Sequence, residues 1–385
     1  MLSPLSLYVH LPWCVQKCPY CDFNSHIAGD AAPRRRYLDA LLRDLDTEAD
    51  RGAGRRIETV FLGGGTPSLF SPEEIARLLA GIRRRFELAD NAEITMEANP
   101  GTVECGAPAG YLDAGVNRLS FGGQSFNDDL LQRIGRIHNS DDIVRAVTDA
   151  RAVGVGNFNI DLMHGLPGQS IATALDDVRA AVSLEPTHIS WYQLTLEPNT
   201  VFFARPPADL PDEETAYEIQ DAGQALLAAS GYRQYEVSAY ARDATVCHHN
   251  MNYWLFGDYL AAGAGAHGKI SDACGVYRYI KPANPLQYMK IIEAGEDEGR
   301  LTPIAASDLV FEFMLNALRL TDGFSESVFC QRTGLGAEVL VSAMAGARAR
   351  GLVSREVDSV WLPTALGRRF LNDLQAEFLP DRAPD

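Results

Sequence analysis

Residues 5–23, with the sequence LSLYVHLPWCVQKCPYCDF, decide the fold of this 385-residue chain. A short β-rich run, LSLYVHL, is followed at once by Cys14, Cys18 and Cys21 in the spacing C-x3-C-x2-C. Thiolates this close together can converge on one soft-metal cluster, and the aromatic residues that flank them would shield the cluster from water. The segment therefore predicts a first strand that leads directly into a metal-cluster loop.

Three ligands rather than four distinguish this loop from a structural cluster site. A four-iron cluster held by three thiolates leaves one iron open, and an open metal position is where a substrate binds, as catalytic zinc sites illustrate by analogy. A zinc site completed by His10 or His26 is the weaker alternative, because zinc motifs usually bring paired ligands from two knuckles. The remaining cysteines are scattered singly and give no disulfide framework; they are Cys105, Cys247, Cys274 and Cys330.

Outward from the loop, short β-rich runs alternate with amphipathic helical stretches over the first half of the chain. Strands joined by helices pair in parallel, in a doubly wound sheet or in a barrel, and both architectures place ligands at the carboxyl ends of strands. The sequence therefore predicts an α/β fold. We predict six strands, within residues 5–11, 58–65, 92–100, 116–123, 156–165 and 187–195, with helices within 37–50, 71–86, 141–154 and 173–184.

A Pro- and acid-rich break at 205–214 ends this pattern. We predict that a helix near 212–229, a strand-like run at 232–241 and the Gly-rich loop 263–268 extend the first domain. The first domain, a barrel with its extension, is thus expected to occupy residues 1–300.

After the acidic turn at 293–300 the pattern changes again. Helices within 308–320 and 337–351 precede a short pair of strands within 352–363, which is typical of a winged-helix-like module. The candidate recognition helix carries only two arginines, both at its end, so we expect a docking or lid role rather than DNA reading. Residues 301–385 are predicted to form this small α+β domain.

The bulk composition excludes several classes of function. A net charge of −17 leaves no general basic face for nucleic acid, which also disfavours a DNA-binding regulator. With 46% hydrophobic and 22% charged residues the chain resembles an ordinary soluble globular protein, and no run reaches the roughly 18 apolar residues of a membrane span. We expect a cytoplasmic protein without a nucleic-acid partner; peripheral membrane contact and oligomeric state stay open.

The cysteine motif at the start of a repeated β/α pattern resembles the radical S-adenosylmethionine superfamily. The resemblance implies a partial (β/α)6 barrel and a 4Fe-4S cluster held by Cys14, Cys18 and Cys21. It also implies that the open iron is chelated by the amino and carboxylate groups of S-adenosyl-L-methionine, whose reductive cleavage yields a 5′-deoxyadenosyl radical.

Further residues match the superfamily's pattern for binding this cosubstrate. The segment FLGGGTP supplies glycines that a ligand can approach closely, and the resemblance assigns Gly64, Gly65 and Thr66 to the amino group. Other polar residues sit at or just beyond strand ends, where their side chains can point into a barrel mouth. Those that match positions holding the ribose, carboxylate and neighbouring groups are Glu97, Gln124, Arg136 and Asp161, with Tyr8 and Tyr20 alongside.

Nearly the whole chain resembles the oxygen-independent coproporphyrinogen III oxidase group, and two features discriminate the branches of that group. The oxidase carries a further cysteine two residues after the third cluster ligand, where this chain has Phe23. The segment HNMNYW at 249–254 looks like the signature of the heme-chaperone branch. The resemblance therefore implies a protein that binds heme and transfers it to an acceptor. The alternative is oxidative decarboxylation of coproporphyrinogen III to protoporphyrinogen IX, which Phe23 disfavours.

The heme site implied by this resemblance centres on His249, because a neutral imidazole is a good axial ligand for heme iron. Tyr253 and Trp254 would supply flat apolar surface for the porphyrin. A hydrogen-bonded structural histidine beside a core Tyr-Trp pair is the plainer interpretation of the same residues. Arginine would suit the heme propionates, but the sequence does not select which arginine. An electron donor and a heme-accepting protein are expected partners. Rival axial ligands are Cys247, His248 and His267.

Overall fold

The computed structural model of the chain describes residues 3–29, 33–101, 108–296 and 299–380, so Cys105 lies outside the described residues. In chain order the elements up to residue 193 are β1 (Leu5–Leu11), β2 (Trp13–Cys14), β3 (His26–Ile27), α1 (Arg34–Gly52), β4 (Ile57–Gly64), α2 (Pro72–Arg85), β5 (Leu88–Ala98), α3 (Pro108–Ala114), β6 (Arg118–Gln124), α4 (Asp128–Arg133), α5 (Ser140–Ala152), β7 (Phe158–His164), α6 (Ile171–Ser183) and β8 (His188–Gln193).

The extension and the C-terminal region follow. Their elements are α7 (Val201–Ala204), α8 (Glu213–Ala229), β9 (Arg233–Glu236), β10 (Ala239–Ala241), α9 (His248–Trp254), β11 (Asp258–Ala262), β12 (His267–Ser271), β13 (Val276–Ile280), α10 (Pro285–Glu293), β14 (Thr302–Pro303), α11 (Ala306–Ala317), β15 (Phe324–Ser325), α12 (Glu326–Thr333), α13 (Ala337–Ala349), β16 (Val353–Arg355), β17 (Val360–Pro363), α14 (Ala365–Arg369) and α15 (Leu371–Ala376).

The main sheet is a barrel that does not close. Strands β1, β4, β5, β6, β7 and β8 pair in parallel in chain order, so all six predicted strands form. Beyond β1 the sheet continues through β11, β12, β13 and β14, and beyond β8 through β10 and β9. The predicted partial (β/α)6 barrel is confirmed, and the extension lengthens its sheet on both sides.

Each barrel strand alternates apolar and polar residues, which separates the core from the barrel interior. In β1, Leu5, Leu7 and Val9 are fully buried in the main hydrophobic core beneath the helices. Successive side chains of a strand point to opposite faces, so the polar residues between them face inward. Parallel strands covered by helices are usually apolar throughout. A polar inner face therefore indicates a barrel interior that binds something.

The helices begin where capping residues allow. The Ser71 hydroxyl accepts the Glu74 N–H at 3.3 Å while the Glu74 carboxylate accepts the Ser71 N–H at 2.9 Å, a reciprocal cap at the start of α2. Equivalent boxes open α5 at Asn139 and α6 at Ser170. Such caps contribute about 1 kcal/mol each and fix the loops that precede them.

A second hydrophobic core lies mainly within residues 309–378 and adds Phe256 and Val276 from the extension. Helices α11, α12 and α13 are followed by β16 and β17, and the small sheet has the order β15-β17-β16. The predicted helices α11 and α13 and the predicted strand pair are present, and α12 and β15 are additional elements that the sequence pattern did not indicate. The domain boundary near residue 300 stays a prediction. None of the described helices is long and apolar enough to cross a membrane.

Candidate functional site

The cysteine loop is held against the carboxyl end of β4. Parallel register aligns His10 with Gly63 and Leu11 with Gly64. A Cβ on Gly65 would lie 2.6 Å from the Trp13 carbonyl oxygen, and Gly64 has a φ of 115°, so this close approach of two backbones requires glycine. The glycine-rich segment therefore holds the cluster loop in place at the edge of the cavity.

The three thiols line one cavity of about 370 Å³ at the mouth of the barrel. Thr66 Oγ1 donates to Cys14 Sγ at 3.5 Å, and Arg136 Nη1 donates to Cys18 Sγ at 3.7 Å. Within the described ranges no three His, Cys, Asp or Glu side chains are placed to hold a single metal ion. Thiols spread around a cavity suit a cluster in which each thiolate holds a different iron.

The histidines of the zinc alternative are committed elsewhere. His10 Nδ1 is hydrogen-bonded to the Tyr8 hydroxyl at 3.0 Å, and its Nε2 to the Asn24 carbonyl oxygen at 2.9 Å. His26 Nε2 is bonded to Asn24 Oδ1 at 3.2 Å. These bonds leave the three thiols as the donor set of the loop.

Almost all the residues predicted to bind S-adenosylmethionine share the cavity of the thiols. Tyr8 is the exception, because it lines a second cavity that adjoins the first. Those in the first cavity are Tyr20, Gly64, Gly65, Thr66, Glu97, Gln124, Arg136 and Asp161.

Two carboxyl groups face each other where the two cavities meet. Enclosure in the barrel, with the neighbouring Asp161, raises the pKa of Glu97 to about 8. Burial also raises the pKa of Asp161, although Asn159 Nδ2 donates to it at 2.7 Å and Ser120 Oγ at 3.2 Å. Glu97 is therefore mostly protonated at neutral pH, and a cationic ligand would favour its ionised form.

Gln124 and Arg136 show the backbone and hydrogen-bonding signs of a binding site. Gln124 has a φ of 70° at a register shift between β6 and β7, and the Tyr192 hydroxyl donates to its Oε1 at 2.9 Å. Such strain in a non-glycine residue is common at ligand sites. Arg136 Nη2 donates to the Gly122 carbonyl oxygen at 2.7 Å, while its buried Nε has no partner among the described residues. That unsatisfied donor fits a ligand carboxylate.

The second cavity, of about 640 Å³, lies deeper in the barrel and reaches the helix that carries HNMNYW. It shares Glu97 and Asp161 with the first cavity, and Phe23, which is 58% exposed, lies where the two meet. Flat side chains make up much of its wall, which suits a planar ligand; they are Tyr8, Phe61, His249, Tyr253 and Tyr259.

Helix α9 is fixed to the barrel strands at both ends. The Glu93 carboxylate of β5 accepts the N–H groups of His248 at 3.1 Å and His249 at 3.0 Å. At the other end Asn252 Nδ2 donates to Ser6 Oγ of β1 at 2.9 Å. The sequence reasoning found HNMNYW but missed Glu93 and Ser6, which place it.

His249 is 1% exposed, and its hydrogen bonds define its tautomer. Thr59 Oγ1 donates to Ser6 Oγ at 2.8 Å, so at 2.7 Å from His249 Nδ1 it acts as the acceptor of an Nδ1–H. The Nε2 lone pair is then directed at the Tyr253 hydroxyl, 3.1 Å away. Burial, with the nearby Arg118, lowers the pKa of His249 to about 3. The imidazole is therefore neutral, with Nε2 as its ligand-capable atom.

The structure separates the other heme-site candidates. Trp254 does not line the second cavity; the Arg319 guanidinium lies 4.3 Å from its ring centroid, so it joins α9 to the C-terminal region. Cys247 is buried outside the cavity, and burial raises the pKa of its thiol to about 12. His248 is exposed and also lies outside, whereas His267 lines the cavity together with His249.

Arg118, Asn159 and Ser190 also line the second cavity and were missed by sequence reasoning. The signal was available, because each lies two residues from another inward-facing residue of its strand, as Arg118 does from Ser120. A rule based on strand ends overlooks residues that lie deeper in the barrel.

Comparisons with known proteins agree with this geometry. A family model described as the radical SAM superfamily matches residues 8–181. The heme chaperone HemW of Haemophilus influenzae is 47% identical over 385 residues, covering 99% of both chains, and that of Bacillus subtilis is 33% identical over 380 residues, covering 97% of this chain and 99% of its own. The solved coproporphyrinogen III oxidase HemN of Escherichia coli superposes with a TM-score of 0.82 at 26% identity, covering 98% of this chain and 90% of the oxidase.

Proposed function

The chain belongs to the HemW family of heme chaperones within the radical SAM superfamily, and we propose that it binds heme in the second cavity through His249 and transfers it to an acceptor protein. The observation that carries the proposal is the neutral His249, whose Nε2 lone pair lies beside an aromatic cavity. An imidazole in this tautomer is the form that ligates heme iron.

The first cavity is proposed as the site of a 4Fe-4S cluster and S-adenosylmethionine. Cys14, Cys18 and Cys21 would hold the cluster, and Arg136 would hold the cosubstrate carboxylate with its unsatisfied Nε. Glu97 would bind a donor group of the cosubstrate. When bound, the cluster and S-adenosylmethionine together would supply one-electron cleavage of the sulfonium group.

The backbone of the glycine-rich segment suits the amino group of the cosubstrate better than an anionic group. The amides of Gly65 and Thr66 donate to Leu11 and Trp13 carbonyl oxygens at 2.8 and 2.7 Å, so they are not available to a ligand. An ammonium group only donates hydrogen bonds, so it needs acceptors rather than N–H groups. A segment whose amides are committed in this way is suited to an amino group.

Oxidation of coproporphyrinogen III is the second candidate, favoured by the structural likeness to HemN over 98% of the chain. Phe23 stands where a further cysteine is expected in the oxidase, and it lies at the junction of the two cavities. Anaerobic turnover of the reconstituted protein with coproporphyrinogen III tests this candidate. We expect no protoporphyrinogen IX above the level of a control without S-adenosylmethionine.

Partners and location follow from the proposed activity. A heme chaperone needs a heme-accepting protein, and reduction of the cluster needs an electron donor; we place both with this chain in the cytoplasm. The C-terminal region contacts α9 directly, since the Arg319 guanidinium stacks on Trp254. Arg319 also donates a hydrogen bond to Glu236 of β9 at 2.9 Å. We propose that residues 301–385 act as the docking or lid domain.

A heme titration of the His249→Gln and His249→Ala variants tests the axial ligand. Both remove the ligand-capable imidazole, so we expect heme affinity to fall at least tenfold, with loss of the wild-type Soret band. The matched control is His248→Ala, which changes the neighbouring exposed histidine and should bind heme normally. Iron and sulfide content reports whether each variant is folded around its cluster.

Two results would contradict the assignment. Unchanged heme affinity and an unchanged Soret spectrum in folded His249→Ala would exclude His249 as the ligand. Loss of the Soret band in His267→Ala alone would transfer the ligand role to the other cavity-lining histidine.

A further inference from the structure

Arg118 is a buried cation in the wall of the barrel interior. It is the first residue of β6, is 2% exposed and lines the second cavity. Among the described residues its guanidinium forms no ion pair, and its buried Nε has no hydrogen-bond partner. The buried lysines differ, because Lys269 pairs with Asp258 at 3.2 Å and Lys281 with Asp44 at 2.6 Å. Buried charges are normally paired, and the described residues supply no such partner to Arg118, so a ligand in the cavity is the candidate partner.

The two acids whose charges act on Arg118, Glu93 and Asp161, form hydrogen bonds with other groups. The Glu93 carboxylate accepts the two N–H groups at the start of α9 and the Cys247 thiol. Asp161 accepts hydrogen bonds from Asn159 and Ser120. These bonds leave the guanidinium of Arg118 available on the side of the cavity.

The neutral polar groups beside Arg118 are committed as well. Ser190 Oγ donates to Asn159 Oδ1 at 3.1 Å, and Asn159 Nδ2 donates to Asp161 and Ser120, both at 2.7 Å. A ligand carboxylate entering this end of the cavity would therefore meet one free cationic donor. Arginine binds carboxylates with two parallel N–H donors, which makes it specific as well as strong.

We propose that Arg118 binds a carboxylate of the tetrapyrrole held in the second cavity, a role that rests on the heme binding proposed above. A heme carries its iron at the centre and its carboxylates on one edge, and His249 and Arg118 line the same cavity. The carboxylate of S-adenosylmethionine is the other source of this chemistry. Arg136, beside the thiols of the first cavity, already offers an unsatisfied donor to that group.

The test compares heme with heme dimethyl ester, in which both carboxylates are blocked, using the full-length protein. We expect wild type to bind heme at least tenfold more tightly than the ester. Arg118→Gln should lower heme affinity at least tenfold and leave ester affinity unchanged, so that the preference disappears. Arg118→Lys should keep part of the preference for heme over the ester.

Two further measurements control for a structural effect. Arg145→Gln removes an exposed arginine that pairs with Asp142 and should keep the preference for heme over the ester. The melting temperature of heme-free Arg118→Gln should stay level or rise, because the substitution removes an unpaired buried charge. A supporting role for Arg118 in the fold would instead lower it.

Each failure has a distinct signature. Equal weakening of heme and ester in Arg118→Gln would overturn the carboxylate contact. Weaker S-adenosylmethionine binding with an intact preference for heme over the ester would assign Arg118 to the cosubstrate and overturn the proposal. If wild type binds neither heme nor ester, heme binding itself fails, whereas normal heme binding by Arg118→Gln refutes Arg118 alone.

Discussion

The two cavities share a wall formed by Glu97, Ser120 and Asp161, yet they are built from different parts of the strands. The first is made by the loops and residues at the carboxyl ends of strands, where a single sequence motif supplies all three thiols. The second is made by inward-facing residues deeper in the barrel, together with α9 and β12 of the extension. The residues for the chemistry that a superfamily shares thus lie close together in one motif, whereas the residues that distinguish one branch from another are dispersed over the chain.

Their chemical linings also differ. The thiols of the first cavity suit a metal cluster, and the two acids of the shared wall suit a cationic cosubstrate beside it. The second combines a neutral histidine, aromatic faces and Arg118, which forms no ion pair within the described part of the chain; this lining suits a planar ligand with anionic edges. If this contrast is correct, substitutions in one cavity should leave binding in the other nearly unchanged.

The largest effect should come from Cys18→Ala. Loss of one of three thiolates should remove almost all 4Fe-4S cluster, measured as iron and acid-labile sulfide after anaerobic reconstitution, while heme affinity stays within about twofold of wild type. Cys274→Ala, which removes an exposed cysteine far along the chain, is the matched control and should reconstitute normally. Joint loss of cluster and heme binding would show that the two cavities do not act independently.

The sequence brought most of the residues of the first cavity together because their positions follow from local features. Cys14, Cys18 and Cys21 lie on one loop, and the other residues expected to bind the cosubstrate sit where strand ends must meet in any parallel barrel. Their roles as ligands stay a prediction. Six parallel strands follow from the alternation of β-rich and helical runs, so the α/β class was accessible as well; the choice of a barrel over a doubly wound sheet came from the resemblance.

The second cavity was only partly predictable. His249 was found by resemblance, but its tautomer depends on Thr59 and Ser6, which lie on different strands. Trp254 was assigned to heme, whereas the structure packs it against Arg319. In the sequence, Arg118 looks like any arginine at the start of a strand. Only the three-dimensional structure shows that none of the described residues forms an ion pair with it.

A smaller effect is expected from Glu97→Gln in the shared wall. The ionised carboxylate can form a charge-assisted hydrogen bond to the cosubstrate, and its loss should weaken S-adenosylmethionine binding by about tenfold or more at pH 9. Heme affinity should change little. Isothermal titration calorimetry measures the affinity for each ligand. An equal loss of affinity for S-adenosylmethionine and heme would contradict the separate roles of the two cavities.

The pH dependence of wild type, compared with that of Glu97→Gln, tests the same carboxyl group through stability and cosubstrate affinity. Because the pKa of Glu97 is about 8 in the folded chain and ordinarily 4.5, the folded state binds more protons between these values. The free energy of unfolding should therefore fall as pH rises through this window, and Glu97→Gln should remove that contribution. Cosubstrate affinity should rise toward pH 8 in wild type and stay flatter in the variant; Asp161, which also raises the pKa of Glu97, is unchanged in both.

The smallest expected change in heme affinity comes from removing one tyrosine hydroxyl, and it should differ between two tyrosines that line the same cavity. His249 Nε2 must give up its hydrogen bond to the Tyr253 hydroxyl before it can ligate iron. Tyr253→Phe leaves that nitrogen unsatisfied in the heme-free protein, which should lower its stability by about 1 kcal/mol and tighten heme binding about fivefold. Tyr8→Phe removes a hydroxyl bonded to His10 at 3.0 Å instead, so heme affinity should stay within about twofold. Weaker heme binding in Tyr253→Phe would mean that the hydroxyl contacts the ligand rather than competing with it for His249 Nε2, and would contradict this prediction.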